Sequence, residues 1–281
     1  MRYLGIAGVT VLALLGTGLG FESGGEDSPG TGVDSKIVDA PQEVPEAGRS
    51  SSRRRSRYPG PIPTPADWEP PEGPTRIALQ AGHWKAADAP RELSGLRDNG
   101  TAWQGTAEWE INLAIAETTA GLLRELGYEV DILPAVVPPG YRAHLFIAIH
   151  ADGSNDPNAT GYRVASPSRD ATGRASRFAE LLGKSYGEAT SIRRLPTVTH
   201  RMRNYYAFNF RRYEHALHPM TVGVIIETGF ITSARDRRVI LNEPEKAARG
   251  IVNAIVEFPV TPPPQKPAPT ARDTAESGGM G

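Results

Sequence analysis

The sequence predicts a layered α/β domain, and three observations carry that expectation. Between Arg76 and Phe258, short aliphatic runs alternate with longer amphipathic ones. On either side of this region the composition shifts to Gly, Ser, Pro and charge, with no apolar periodicity able to bury enough surface to offset chain entropy. A chain of 281 residues, 39% of them hydrophobic, suits one core with structureless flanks rather than two domains.

In chain order, the segment "MRYLGIAGVTVLALLGTGLGFES" carries a single Arg2, an uncharged apolar stretch from Tyr3 to Phe21, and small residues at Gly18 and Gly20. It reads as an export signal over residues 1–21. At about 1.5 Å rise per residue the same stretch is long enough to span a bilayer, so cleaved signal and retained anchor both stay open. Localisation is therefore expected in the cell envelope, periplasm or outside the cell. Residues 22–74 read as a disordered linker. Its basic cluster "RSSSRRRSR", Arg49 to Arg57, is either a solvated linker or a weak contact for anionic wall polymer or membrane. Residues 75–258 form the expected domain, and 259–281 a disordered Pro-rich tail. The chain has no cysteine, which excludes disulfides, lipoprotein acylation and thiolate metal sites. A net charge of −1 offers no basic field for nucleic acid. No oligomer is implied.

Within the domain, strands are expected at 76–81, 128–133, 144–151, 161–166 and 221–229. "AEWEINLAIAETTAGLLRELG" has apolar residues at Ile111, Ile115, Leu122 and Leu126 with Gly127 as C-cap, a helix. Further helices are expected at 171–188, about 203–217 and 233–257, the last capped by Ser233.

Three of these strands end in a polar residue at their carboxyl ends: "IALQAGH" in His83, "LFIAIH" in His150 and "VGVIIE" in Glu227. In a parallel sheet those ends share one rim, where α/β folds place their sites. Glu108, in the first turn of the helix after the first strand, would face the same rim, with the helix N-terminus favouring its ionised form. Taken singly, a strand-end histidine is more often structural, and a first-turn glutamate is usually a favourable capping charge. Together, two imidazoles and a carboxylate are a recurring ligand set for one catalytic Zn²⁺ ion. Glu227 would then move the proton during hydrolysis of an amide.

These residues resemble a known family, the zinc-dependent N-acetylmuramoyl-L-alanine amidases. "IALQAGHWK" is similar to the family's first strand with its Gly-His pair, "EWEINLAIA" to its helix start, "FIAIHADGS" to its Ile-His-Ala-Asn turn, and "VGVIIETGFITSARDRRVI" to its Glu-x-Gly-Phe strand exit. The resemblance implies a twisted, mainly parallel sheet of about six strands with helices on both faces. It implies His83, Glu108 and His150 as zinc ligands and Glu227 as the catalytic carboxylate. Glu110 competes with Glu108, but Glu108 lies five positions before Leu113, as in the family pattern. The implied substrate is peptidoglycan, cut between N-acetylmuramic acid and L-alanine of the stem peptide.

The sequence departs from the family at three places. Trp84 stands where glycine is common and either walls the cleft, stacks on substrate or packs. Asp152 replaces the usual Asn. The connection "PAVVPPGYRAH" is short and lacks the family's Arg-rich helix. No long helical insertion follows His150, so the resemblance implies an open cleft. In "HRMRNYYAFNFRRYEHALH", Tyr205, Asn209 and Arg212 are candidate substrate contacts, set against a plain amphipathic helix with an aromatic core stripe. His144, His200, His215 and His218 read as structural, and Asp236 as a cap or anchor of the last helix. Three other functions compete: a zinc peptidase cutting within the stem peptide, a non-catalytic wall-binding module, and a glycosidase using Glu108 and Glu227 as paired carboxylates.

Overall fold

The computed structural model describes residues 60–260. The expected leader, most of the linker with its basic cluster, and the tail from residue 261 lie outside the described residues.

The elements run β1 (Arg76–Ala81), the short hairpin β2 (Ala102–Trp103) and β3 (Thr106–Ala107), α1 (Glu108–Glu125), β4 (Glu129–Leu133), β5 (Leu145–Asp152), β6 (Arg163–Ala165), α2 (Ala175–Thr190), α3 (His200–Arg203), β7 (Val222–Phe230), α4 (Ala234–Ile240) and α5 (Pro244–Glu257). The main sheet has five strands in the order β4-β1-β5-β7-β6, in keeping with the expected mainly parallel sheet of about six, and β2 and β3 pair only with each other. Four strands are parallel, and β6 runs antiparallel along the edge of β7. Strands β1, β5 and β7 are almost wholly buried, as central parallel strands covered on both faces must be.

Side-chain alternation divides the sheet into two unlike faces. On one, Ile77, Leu79, Leu145, Ile147, Ile149, Val222, Val224 and Ile226 pack against α1, α2, α4 and α5. On the other, Ala78, Phe146, Ala148 and Ile225 are covered by short helical turns and loops carrying Leu93, Val137, Met202, Tyr206 and Leu217. Helices thus lie on both faces, but the second face has only the single turn of α3 and isolated 3₁₀ segments.

Two helical expectations are corrected. The segment 203–217 is not one helix. After α3, Asn204 leaves helical geometry (φ −116°, ψ 31°), and a 3₁₀ turn at Tyr206–Phe208 ends at Asn209. A continuous helix would set Met202, Tyr205 and Tyr206 on one face and turn Phe208 off it, whereas the broken path brings all four onto the sheet. The segment 233–257 is two helices. Ser233 does cap the first, accepting from Asp236 N–H, but Pro244 takes the first position of the second, where its missing N–H is no loss. Asp236 is an anchor, as expected. Fully buried, it accepts from the backbone N–H groups of Gly161 and Phe230, at 2.9 and 3.0 Å.

Residues 60–74, assigned above to the linker, lie against the domain where they are described. Arg142 donates to the carbonyl of Asp67, and the Trp68 ring sits 5.0 Å from that of His218.

Candidate metal centre

The carboxyl ends of β1, β5 and β7 form one rim. Parallel pairing sets Ala81 beside Ile149 and His150 beside Glu227, and the antiparallel edge adds Arg163 beside Glu227. By the two-residue period, Gln80, His150, Glu227 and Arg163 all project to the loop-covered face. Beyond β1 the chain turns sharply, and His83 adopts a left-handed backbone (φ +62°). For a residue with a Cβ this costs about 1–3 kcal/mol, a strain that recurs at functional positions. Glu108 opens α1, its backbone N–H bonded to the carbonyl of Thr101 at 2.8 Å.

These elements bring His83, Glu108 and His150 together, with one potential ligand atom from each all within 4.8 Å of one another. His150 Nδ1 lies 3.2 Å and His83 Nε2 3.7 Å from Glu108 Oε1. Four ligands at about 2.0–2.1 Å around tetrahedral zinc are about 3.3 Å apart, so this donor set fits the ion. Glu110 is turned away, accepting from the Ala107 N–H at 3.0 Å to close the helix start. Two glycines make the cluster possible. A Cβ at Gly82 would run into the His150 ring, and one at Gly100 (φ +70°) into Glu108 and His83.

Each ligand is held from behind. Asp98 Oδ1 sits 2.7 Å from His83 Nδ1, leaving Nε2 free for the cluster. Glu108 Oε1 accepts from Ala151 N–H (3.1 Å) and Asn112 Nδ2 (3.2 Å), and Oε2 from Thr101 N–H (3.0 Å). The His150 carbonyl accepts from Thr228 Oγ1 at 2.8 Å, and its Nε2 lies 3.3 Å from the Tyr205 hydroxyl.

Electrostatics separates the roles. Burial disfavours the His83 imidazolium, but the Asp98 hydrogen bond and the Glu108 charge outweigh it and raise the pKa to about 9. Burial raises the Glu108 pKa, yet the two imidazoles and the Thr101 N–H together bring it below its ordinary value. Burial pulls His150 down, partly opposed by Glu108. Glu227 is pushed well above the usual carboxylate range by burial and by the negative charges of Asp152 and Glu108, with Arg163 opposing. Asp152 is raised to about 6, mainly by burial, even with Arg163 Nε at 3.2 Å. The arrangement therefore pairs a cation-ready cluster with a carboxyl that holds a proton more tightly than usual.

The remaining candidates divide, Asp152 and Tyr205 lying at the rim itself. Trp84 packs against the core, with Lys85 Nζ 4.5 Å above its ring. Asp152 ends β5 and pairs with Arg163. Tyr205 stacks edge-on against His150, with centroids 5.6 Å apart. Asn209 ends a 3₁₀ turn, and exposed Arg212 lies over the Tyr213 ring. His144, His215 and His218 bond to backbone, and His200 is exposed.

Four residues beyond those expected from the sequence complete the site: Gln80, Asp98, Asn112 and Arg163. Asn112 had a readable signal, since four residues after Glu108 is one helical turn. Gln80 has a weaker one, as the polar residue inside the apolar run that follows Arg76.

Residues 139–257 match the model of a family described as N-acetylmuramoyl-L-alanine amidase. The match spans His150 and Glu227, while His83 and Glu108 precede it. Among solved structures, the chain is similar to the catalytic domain of CwlV from Bacillus (Paenibacillus) polymyxa var. colistinus, an N-acetylmuramoyl-L-alanine amidase. The identity is 17%, over 65% of this chain and 97% of that one, with a TM-score of 0.45. It is similar to the amidase AmiC2 of Nostoc punctiforme at 16% identity, over 66% and 96%, with a TM-score of 0.48. It is also similar to the amidase Ami1 from Mycobacterium smegmatis at 20% identity, over 65% and 95%, with a TM-score of 0.47. No curated protein matches the chain.

Proposed function

We propose that this chain is an exported, zinc-dependent N-acetylmuramoyl-L-alanine amidase. It would hydrolyse the amide between the lactyl group of N-acetylmuramic acid and L-alanine in peptidoglycan, in wall remodelling or turnover. The convergence of His83, Glu108 and His150, with Glu227 in register beside His150, carries this reading. The match of residues 139–257 to the amidase family supports the bond and substrate. Export rests on the N-terminal leader.

His83, Glu108 and His150 would hold the ion, which when bound supplies Lewis-acid polarisation and a nucleophile active near neutral pH. Glu227 accepts the proton of the attacking water at its carboxylate and delivers it to the departing alanine nitrogen. Water thus adds hydroxyl to the carbonyl carbon, the C–N bond breaks, and the amine gains hydrogen. The raised proton affinity of Glu227 makes its ionised form the stronger base, and acceptance of the proton requires that ionised form. Arg163, paired with Asp152 and opposite Glu227, limits how far burial can lift it.

The test is digestion of isolated sacculi. The expected product is a stem peptide with a free L-alanine amino group, formed only with zinc, lost on chelation and restored by adding the ion back. A new peptide C-terminus would instead identify a peptidase cutting within the stem. Hydrolysis indifferent to chelation would point to paired carboxylates.

A further inference from the structure

We infer that Gln80 and Tyr205 are positioning residues that hold the His150 proton on Nε2, so that Nδ1 is the atom presented to a metal shared with His83 and Glu108. This deepens the zinc-dependent reading above and rests on it.

The assignment follows from counting donors along one buried chain of hydrogen bonds. Gln80 is fully buried in β1. Its Nε2 lies 2.9 Å from the carbonyl of Ala135, which can only accept, and 2.8 Å from the Tyr206 hydroxyl. Tyr206 has its own proton on the same carbonyl, at 2.6 Å, and accepts from Val137 N–H at 3.0 Å. Flipping the Gln80 amide would set oxygen against oxygen at Ala135, so its orientation is determined. Gln80 Oε1 therefore faces Tyr205, 2.8 Å away, and the Tyr205 hydroxyl must spend its single proton there. Toward His150 Nε2, at 3.3 Å, the phenolic oxygen is left only as an acceptor. A neutral imidazole has one N–H, so Nδ1 is bare.

Bare Nδ1 points at Glu108 Oε1, 3.2 Å away, which already accepts from Ala151 and Asn112. Two facing acceptors at that distance repel unless a cation lies between them. Ligation through Nε2 would require the Tyr205 hydroxyl to leave and would turn the ligating lone pair away from Glu108. Asp98 does for His83 what Tyr205 does for His150, with the ring nitrogens exchanged: it takes Nδ1 and leaves Nε2. Tyr205, a candidate substrate contact by sequence, here acts through His150.

The experiment uses the full chain labelled with ¹⁵N-histidine and loaded with ¹¹³Cd. One-bond coupling is expected between cadmium and His150 Nδ1, together with a slowly exchanging Nε2–H. In Tyr205→Phe, which keeps the ring, that N–H should exchange rapidly and zinc should bind about 10–100-fold more weakly. Gln80→Met, which frees the Tyr205 hydroxyl to donate toward Nε2, should weaken zinc in the same direction. Coupling to Nε2, or unchanged zinc affinity in Tyr205→Phe, would overturn the inference while leaving the amidase reading intact. Unchanged affinity in Gln80→Met would remove Gln80 from the assignment. A wild-type chain that binds neither metal sinks both.

Discussion

The two faces of the sheet solve opposite problems with the same strands. On the helical face, Ile115, Leu123, Phe178 and Leu182 are fully buried among apolar neighbours, and close packing of α1, α2 and α5 holds the strands in register. On the loop face, the same strands project Gln80, His150, Glu227 and Arg163. There the cover is irregular backbone, whose free carbonyls and N–H groups, such as those of Ala135 and Val137, enter a polar network. A regular helix spends its backbone groups internally and has few to lend. The rim can be polar, strained and short of alternatives because the helical face supplies rigidity independently.

That contrast can be broken at several points. The largest effect is expected from Glu227→Gln, which should lower the rate on sacculi by about 10²–10⁴-fold while zinc content by elemental analysis stays at the wild-type level. If mutant and wild type are equally inert, the wall-binding alternative gains instead. On the other face, Phe178→Ala should lower stability by about 3–5 kcal/mol in denaturant titration. Zinc affinity measured under folding conditions should not change, and a large change would show that the faces are not separable.

Gly82→Ala tests how little slack the rim has. Its new methyl meets the buried His150 ring, so zinc affinity should fall about tenfold or more and the metal-free protein should lose about 1–3 kcal/mol of stability, both read on the same variant; unchanged zinc affinity would show slack in the rim.

The His83 pKa is raised from 6.5 to about 9, so the folded state binds more protons than the unfolded one across that window. Its contribution to stability is complete below pH 6.5 and is lost as pH climbs to about 9, and the raised Glu227 has the same sign. Chelator-treated protein should therefore melt at lower temperature as pH rises from 6.5 to 9, and His83→Asn should flatten that slope. Zinc affinity should rise over the same interval, because proton and metal compete for His83. A metal-free melting temperature that climbs with pH would contradict the assignment. The smallest effect concerns strain. With φ at +62°, His83→Gly should exceed His83→Ala in metal-free stability by about 1 kcal/mol, read by chemical denaturation.

Much of this was legible in residues 76–258. The strands that matter most are nearly continuous aliphatic runs, and each betrays its end by a sudden polar residue, so His83, His150 and Glu227 stood out without coordinates. α1 announced itself by its 3.6-residue period. The segment 203–217 misled because its aromatic residues suit a helical stripe as well as a broken path, and only the sheet face to be covered decides between them. Pro244 was a readable break that the long apolar period overrode.

By itself the sequence determined the layered α/β class, the core strands and three strand-end groups, because burial in a parallel sheet demands apolar runs and tolerates polarity only at their ends. Tertiary structure alone decided that Asp98 and Tyr205 stand behind the histidines, and that Gly82 and Gly100 must stay bare. Those outcomes depend on the direction of a side chain and on a few ångströms between segments distant in the chain, quantities that no local pattern encodes.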